Sequence, residues 1–198
     1  GNTIFVAIIT NPDAANAGYT FVLSGVLDHD QPGNDTQIDL PFNFVVTDND
    51  GDTATGSFDV TVNDDVPTAV DQAGISLSEG SVTVGSASGG TNLITGGVAD
   101  SQGADGARIH QVSYNDGLGL AQTITIAEGA NSGLLTTQYG SLTVHSDGTW
   151  SYTSNASVEH SNGVPVDDLF SYNLIDGDDD VSGWADQPLS VTDTAPVA

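Results

Sequence analysis

Phe42-Asn43-Phe44-Val45-Val46-Thr47-Asp48-Asn49-Asp50-Gly51-Asp52-Thr53-Ala54 is the stretch that decides the fold class. Before the acidic turn, Leu40, Phe42, Phe44 and Val46 alternate with Pro41, Asn43, Val45 and Thr47. After it, Phe58, Val60 and Val62 alternate with Asp59, Thr61 and Asn63. A period of two places every second side chain on one face of a strand, which is strand patterning and not helix patterning. Asp-Asn-Asp-Gly-Asp between the two runs is turn chemistry, because Asn and Asp bond their own backbone and Gly takes positive φ. An antiparallel hairpin over residues 37–47 and 53–63 is predicted.

Working outward, the same alternation predicts strands at 3–9 and 18–26. Beyond residue 66 it predicts strands at 74–77, 81–84, 109–114, 122–127, 140–145, 149–154, 169–175 and 187–192. No stretch carries a helical period. Asp64-Asp65-Val66-Pro67-Thr68-Ala69 reads as a linker, since Pro67 cannot continue a central strand and biases Val66 to an extended shape.

The chain also repeats itself. Phe42 and Phe44 recur as Phe170 and Tyr172, and Asp48, Asp50 and Asp52 recur as Asp176, Asp178 and Asp180, each 128 residues later. Val60, Val62, Asp64 and Pro67 recur one residue further on as Leu189, Val191, Asp193 and Pro196. Tyr19-Thr20-Phe21 matches Trp150-Ser151-Tyr152, and His29 matches His160. Repetition at a period of about 130 residues implies tandem units. Residues 1–66 read as the C-terminal part of one β-sandwich repeat and 67–198 as a complete second one. The predicted class is all-β, with tandem immunoglobulin- or cadherin-like sandwiches.

Charge narrows the function classes. Of 198 residues, 27 are acidic and one, Arg108, is basic, for a net charge of −26. Nothing in such a chain neutralises phosphates, so nucleic acid is excluded as a partner, and an anionic membrane surface is disfavoured likewise. No apolar run is long enough to insert into a bilayer. The acids are 24 Asp and 3 Glu, set beside Gly and Asn in turns. Disorder is opposed by the aromatics and alternating strands. Generic adaptation to salt is one reading of the acidity. Divalent cation binding is the preferred one, since short carboxylates on tight loops suit calcium, which takes about 6–8 oxygen ligands. Cysteine is absent, so stapling by disulfides is not available and a metal is the natural substitute.

The segment Phe42–Ala54, together with Val60-Thr61-Val62-Asn63-Asp64-Asp65-Val66-Pro67-Thr68-Ala69, resembles the repeats of type I secreted RTX adhesins. Tyr139-Gly140-Ser141-Leu142-Thr143-Val144, with Asp147-Gly148-Thr149-Trp150-Ser151-Tyr152, is similar to bacterial VCBS and cadherin-like repeats. The resemblance implies a secreted protein on the outer surface of a Gram-negative bacterium. It also implies stacked sandwiches with calcium at their junctions and neighbouring repeats of the same adhesin as partners. Most such repeats are spacers in attachment and biofilm formation, and some near the tip bind sugars or peptides.

The candidate cation ligands are acids in turns. Asp48, Asp50 and Asp52 form one acidic loop; Asp176, Asp178 and Asp180 form its counterpart. Hairpin geometry expects the linker acids Asp64 and Asp65 to arrive at the end carrying the second loop, with Glu79 as an added ligand or a solvated edge charge. Asp193, the counterpart of Asp64, joins the set. Asp100 and Asp105 lie in one Gly-rich loop, either a second calcium loop or a flexible turn. Trp184 has no counterpart in the first unit and is expected to be exposed, which would suit a sugar or peptide. His29 and His160, being repeat equivalents, are expected to be structural. No nucleophile elbow frames a serine, and no catalytic residue is assigned. The expected function is a calcium-rigidified spacer and not an enzyme; the alternative is a calcium-dependent ligand-binding module.

Overall fold

A computed structural model describes residues 3–11, 17–27, 37–85 and 92–194. His29 and Pro196 lie outside the described residues. The chain divides into two compact units, residues 1–65 and 66–198. Both are built from strands and turns; among the described residues the one helical element is a 3-10 turn, Ser161–Gly163.

Unit 1 consists of two hairpins. Strands β1 (Phe5–Thr10) and β2 (Gly18–Leu23) pair antiparallel, as do β3 (Gln37–Thr47) and β4 (Thr53–Asn63). The second hairpin runs without a register shift from Gln37↔Asn63 to Thr47↔Thr53, as its unbroken alternation predicts. An aromatic row joins the hairpins: the Phe5 and Phe21 rings are 5.3 Å apart, Phe42 and Phe58 5.1 Å, and Tyr19 and Phe58 3.9 Å. Gly56 makes room for this row, because a Cβ there would collide with the Phe44 ring. No described residue of unit 1 is buried. Ile8, Val22, Val45 and Val46 stand exposed.

Unit 2 is a sandwich-like all-β body with a true core. Its strands are β5 (Ile75–Ser78), β6 (Val82–Gly85), β7 (Ala107–Asn115), β8 (Ala121–Thr125), β9 (Leu135–Thr136), β10 (Gly140–Val144), β11 (Trp150–Ser154), β12 (Val166–Asp167), β13 (Phe170–Asp176), β14 (Ala185–Gln187) and β15 (Leu189–Thr192). They form sheets ordered β6-β11-β10-β9, β14-β13-β7-β8 and β12-β15-β5. Leu142, Val144, Trp150 and Tyr152 of the first sheet share one buried cluster with Ile109, Val112, Phe170 and Tyr172 of the second and Leu77, Leu189 and Val191 of the third. Each such side chain contributes about 1.5–3 kcal/mol by leaving water. Trp150 meets Phe170 edge-on at 5.5 Å, a preferred aromatic geometry.

Two details position the acidic loops. The run predicted as one strand at 187–192 is split at Pro188 into β14, paired with β13, and β15, paired parallel with β5. Proline removes a ladder donor there, so the chain changes sheets. Strand β7 bulges at His110, opposite the step from Asn173 to Leu174 in β13, and Asn173 Oδ1 accepts the Gln111 N–H there at 2.9 Å. The β7–β13 ladder ends at Ala107↔Asp176, which holds the segment entering β7 beside the turn leaving β13.

Candidate metal centre

The two acidic loops close alike. In unit 1 the Asp48 N–H donates to the Asp52 carbonyl at 2.9 Å, and the Asp52 N–H returns to Asp48 Oδ1 at 2.9 Å. In unit 2 the Asp176 N–H donates to the Asp180 carbonyl at 3.1 Å, and the Asp180 N–H returns to Asp176 Oδ1 at 2.7 Å. A carboxylate bonding backbone N–H groups ahead of it is the turn chemistry that Asp brings. The local conformation thus recurs together with the sequence.

Their surroundings differ. Asp48, Asp50 and Asp52 are all exposed and lie close enough to share an ion. Asp48 Oδ1 also accepts the N–H groups of Asp50 and Gly51. The Asp50 side chain first, then the Asp52 N–H, hold the Asp48 carboxyl below the usual range. This carboxylate takes its backbone hydrogen bonds from its own exposed loop.

Asp176 is 6% exposed, and its Oδ2 has no hydrogen-bond partner. Asp105, from the segment leading into β7, turns both carboxylate oxygens into the same buried space without a partner. Asp105, Asp176 and Asp178 each place a carboxylate oxygen within 4.8 Å of the others. Gly177 permits the approach: a Cβ there would collide with Asp105 Oδ2. Burial first, and then the Asp178 carboxyl, push Asp176 up to about 7. Beside the cluster is an open cleft of about 450 Å³, lined by Gln102, Arg108, Glu128 and Asp179 among others. Hard carboxylate oxygens fit calcium or magnesium, and water from the cleft can complete the shell.

Asp100 and Glu79 have partners of a different kind. Asp100 does not join Asp105, although both come from one loop. Its Oδ1 accepts the Val70 N–H at 2.8 Å, and the Tyr172 hydroxyl lies 3.1 Å from its Oδ2. Burial pushes Asp100 up to about 6 against those bonds. Gln72 Nε2 completes the knot, its two N–H groups lying within 2.7–3.2 Å of four acceptors: Tyr172 Oη and the carbonyls of Val70, Leu93 and Val98. Glu79 accepts the Val158 N–H at 2.7 Å and the Thr194 hydroxyl at 3.0 Å, with His160 Nε2 3.4 Å away. The Val158 N–H, first of several causes, holds the Glu79 carboxyl low. Asp64 and Asp65 come directly after β4, with the Asp65 N–H donating to Asp64 Oδ1 at 2.9 Å. Asp193 is exposed just past β15. Trp184 is 47% exposed, four residues beyond the second loop.

Asp168 was not a candidate on sequence grounds, yet it is a central polar residue. Buried before β13, its Oδ2 accepts the Thr137 and Tyr152 hydroxyls, each at 2.6 Å, and the Tyr139 N–H at 3.1 Å. The available signal was an acid at the position where the first repeat carries Leu40.

No protein-family model matches the chain, and no curated protein is similar to it. No helix among the described residues is long and apolar enough to cross a membrane.

Proposed function

We propose that this chain is a calcium-rigidified spacer segment of a large secreted bacterial surface adhesin, serving attachment and biofilm formation, with neighbouring repeats as its partners. The observation that carries the reading is the recurrence of one carboxylate-closed loop, at Asp48–Asp52 and again at Asp176–Asp180, in an all-β chain without cysteine. A net charge of −26 repels itself, and a divalent cation bound by the native state offsets that repulsion and stabilises the fold by mass action. The role is mechanical: calcium makes the chain stiffer, and chelation makes it looser and more extended in its fluctuations. No step of chemistry is assigned to it. Small-angle scattering of the whole chain in calcium and in chelator tests this. A narrower distribution of dimensions in calcium supports the spacer; identical profiles refute it.

A second reading is favoured by one residue. An exposed Trp184 close behind an acidic loop offers an apolar platform next to a cation, which suits a sugar ring or a peptide side chain. Glycan-array binding that needs both calcium and Trp184 would select this reading over the spacer.

A further inference from the structure

We infer that Asp105, Asp176 and Asp178 form a divalent-cation site inside unit 2, which latches the segment leading into β7 onto the turn after β13. The spacer reading concerns the stiffness of the whole chain; the latch concerns an ion within one unit and stands or falls separately. Three observations converge on it.

The first is placement. Asp176 ends β13 opposite Ala107, the first residue of β7, so Asp105 is held two residues from a paired position. The approach comes from sheet register across 71 positions of sequence and does not depend on a loose loop closing by chance. The second is burial without satisfaction. Asp176, more than nine-tenths buried, aims an unpartnered Oδ2 into the cluster, and both Asp105 oxygens enter it unpartnered. Buried carboxylates without donors are costly, and like charges side by side add to the cost. The third is the scarcity of other compensation. Arg108 is the only Lys or Arg in the chain. Its guanidinium bonds the Ile126 carbonyl, with Nη1 at 3.3 Å, and one positive charge does not balance three carboxylates. A divalent cation supplies the missing positive charge and coordinates the Asp105 and Asp176 oxygens that the protein leaves without donors.

The consequence is structural. Upstream of Asp105, the chain is tied by Asn92, whose amide donates to the Asp147 carbonyl, by the Thr68–Ser101 bridge, and by the Asp100–Tyr172–Gln72 knot. The stretch from Gln102 to Gly106 runs from those ties into β7, and the ion holds it at Asp105.

Calorimetric titration of calcium into the full chain, with terbium luminescence and amide hydrogen exchange alongside, tests the site. Asp105→Asn removes one ligand charge. Gly177→Ala keeps every carboxylate but drives a methyl into Asp105. Asp167→Asn, an exposed acid on β12, is the control for charge alone. The expected result is that the first two weaken one calcium on the order of ten- to a hundred-fold and that the control does not. In the unaltered chain calcium slows exchange at 102–106 and at 176–180 together. Should either variant fail to fold, that paired slowing decides the matter. Unchanged binding in both folded variants, or slowing at only one of the two segments, overturns the latch. Calcium held at Asp105 with an unchanged scattering profile would refute the spacer and leave the latch standing. Stiffening by calcium with Asp105→Asn binding as tightly as the unaltered chain would do the opposite.

Discussion

Asp48–Asp52 and Asp176–Asp180 have the same spacing and the same backbone closure, yet they are chemically different places. In unit 1 the loop projects into water, and Asp48 takes three backbone N–H groups on one oxygen. In unit 2 the loop sits at the end of a buried strand, and Asp176 has one such donor and one oxygen without any. The difference comes from the surrounding sheets. The hairpin β3–β4 is a two-stranded ribbon, whereas β13 lies between β14 and β7. A motif therefore sets a loop's shape, and the strands packed around it determine how far its carboxylates are buried and how many donors reach them.

The largest expected effect separates the two units. Two-stranded ribbons with one apolar face are at the limit of independent stability, and no described residue of unit 1 is buried. Residues 1–65 alone are expected to lack amide dispersion or to self-associate, and 66–198 alone to fold cooperatively in calcium. A dispersed, monomeric 1–65 would break the comparison.

Core substitutions sharpen it. Leu142→Ala, at a fully buried position of β10, is expected to cost about 2–5 kcal/mol in urea unfolding. Val45→Ala, exposed on β3, should fall within about 0.5 kcal/mol. Tyr152→Phe leaves the buried Asp168 short of one donor and should cost about 1–3 kcal/mol.

A smaller effect is set by pH. Asp100 is raised to about 6, from an ordinary value near 3.8. The folded state then binds this proton more tightly than the unfolded state does. Its contribution is most favourable below the ordinary value and is lost as pH rises through about 6. In chelator, Asp100→Asn should therefore flatten the fall in melting temperature between those two values. An equally steep fall in both proteins would show that Asp100 ionises freely.

The hairpin β3–β4 was legible because its alternation is unbroken and its turn is marked by Asp, Asn and Gly. The long strands of unit 2 were legible for the same reason, within a residue or two at each end. Strands β9 and β12 are two residues each, too short for any period to register. The break at Pro188 was visible as a proline but not as a change of sheet, which depends on β5 lying alongside. Among the acids, the loops were legible, and the approach of Asp105 to Asp176 was not. Asp100 and Asp105 are neighbours in sequence, yet Asp100 faces Tyr172 and Asp105 faces Asp176. Glu79 looked like a ligand because it is an acid in a bend; the Val158 N–H that it accepts is 79 positions away.

The central proposal is that calcium stabilises the fold chiefly through the buried second acidic loop and less through the exposed first. Thermal unfolding of the full chain in saturating calcium and in chelator tests it most directly, run beside two triple variants. One replaces Asp48, Asp50 and Asp52 with Asn, and the other replaces Asp176, Asp178 and Asp180. A ligand at a hundred times its dissociation constant stabilises by about 2.7 kcal/mol, enough to move a melting temperature by several degrees. Calcium is expected to raise the melting temperature of the unaltered chain and of the first variant alike, and the rise is expected to disappear in the second. Equal melting curves with and without calcium, or a rise that survives in the second variant and vanishes in the first, would contradict the claim.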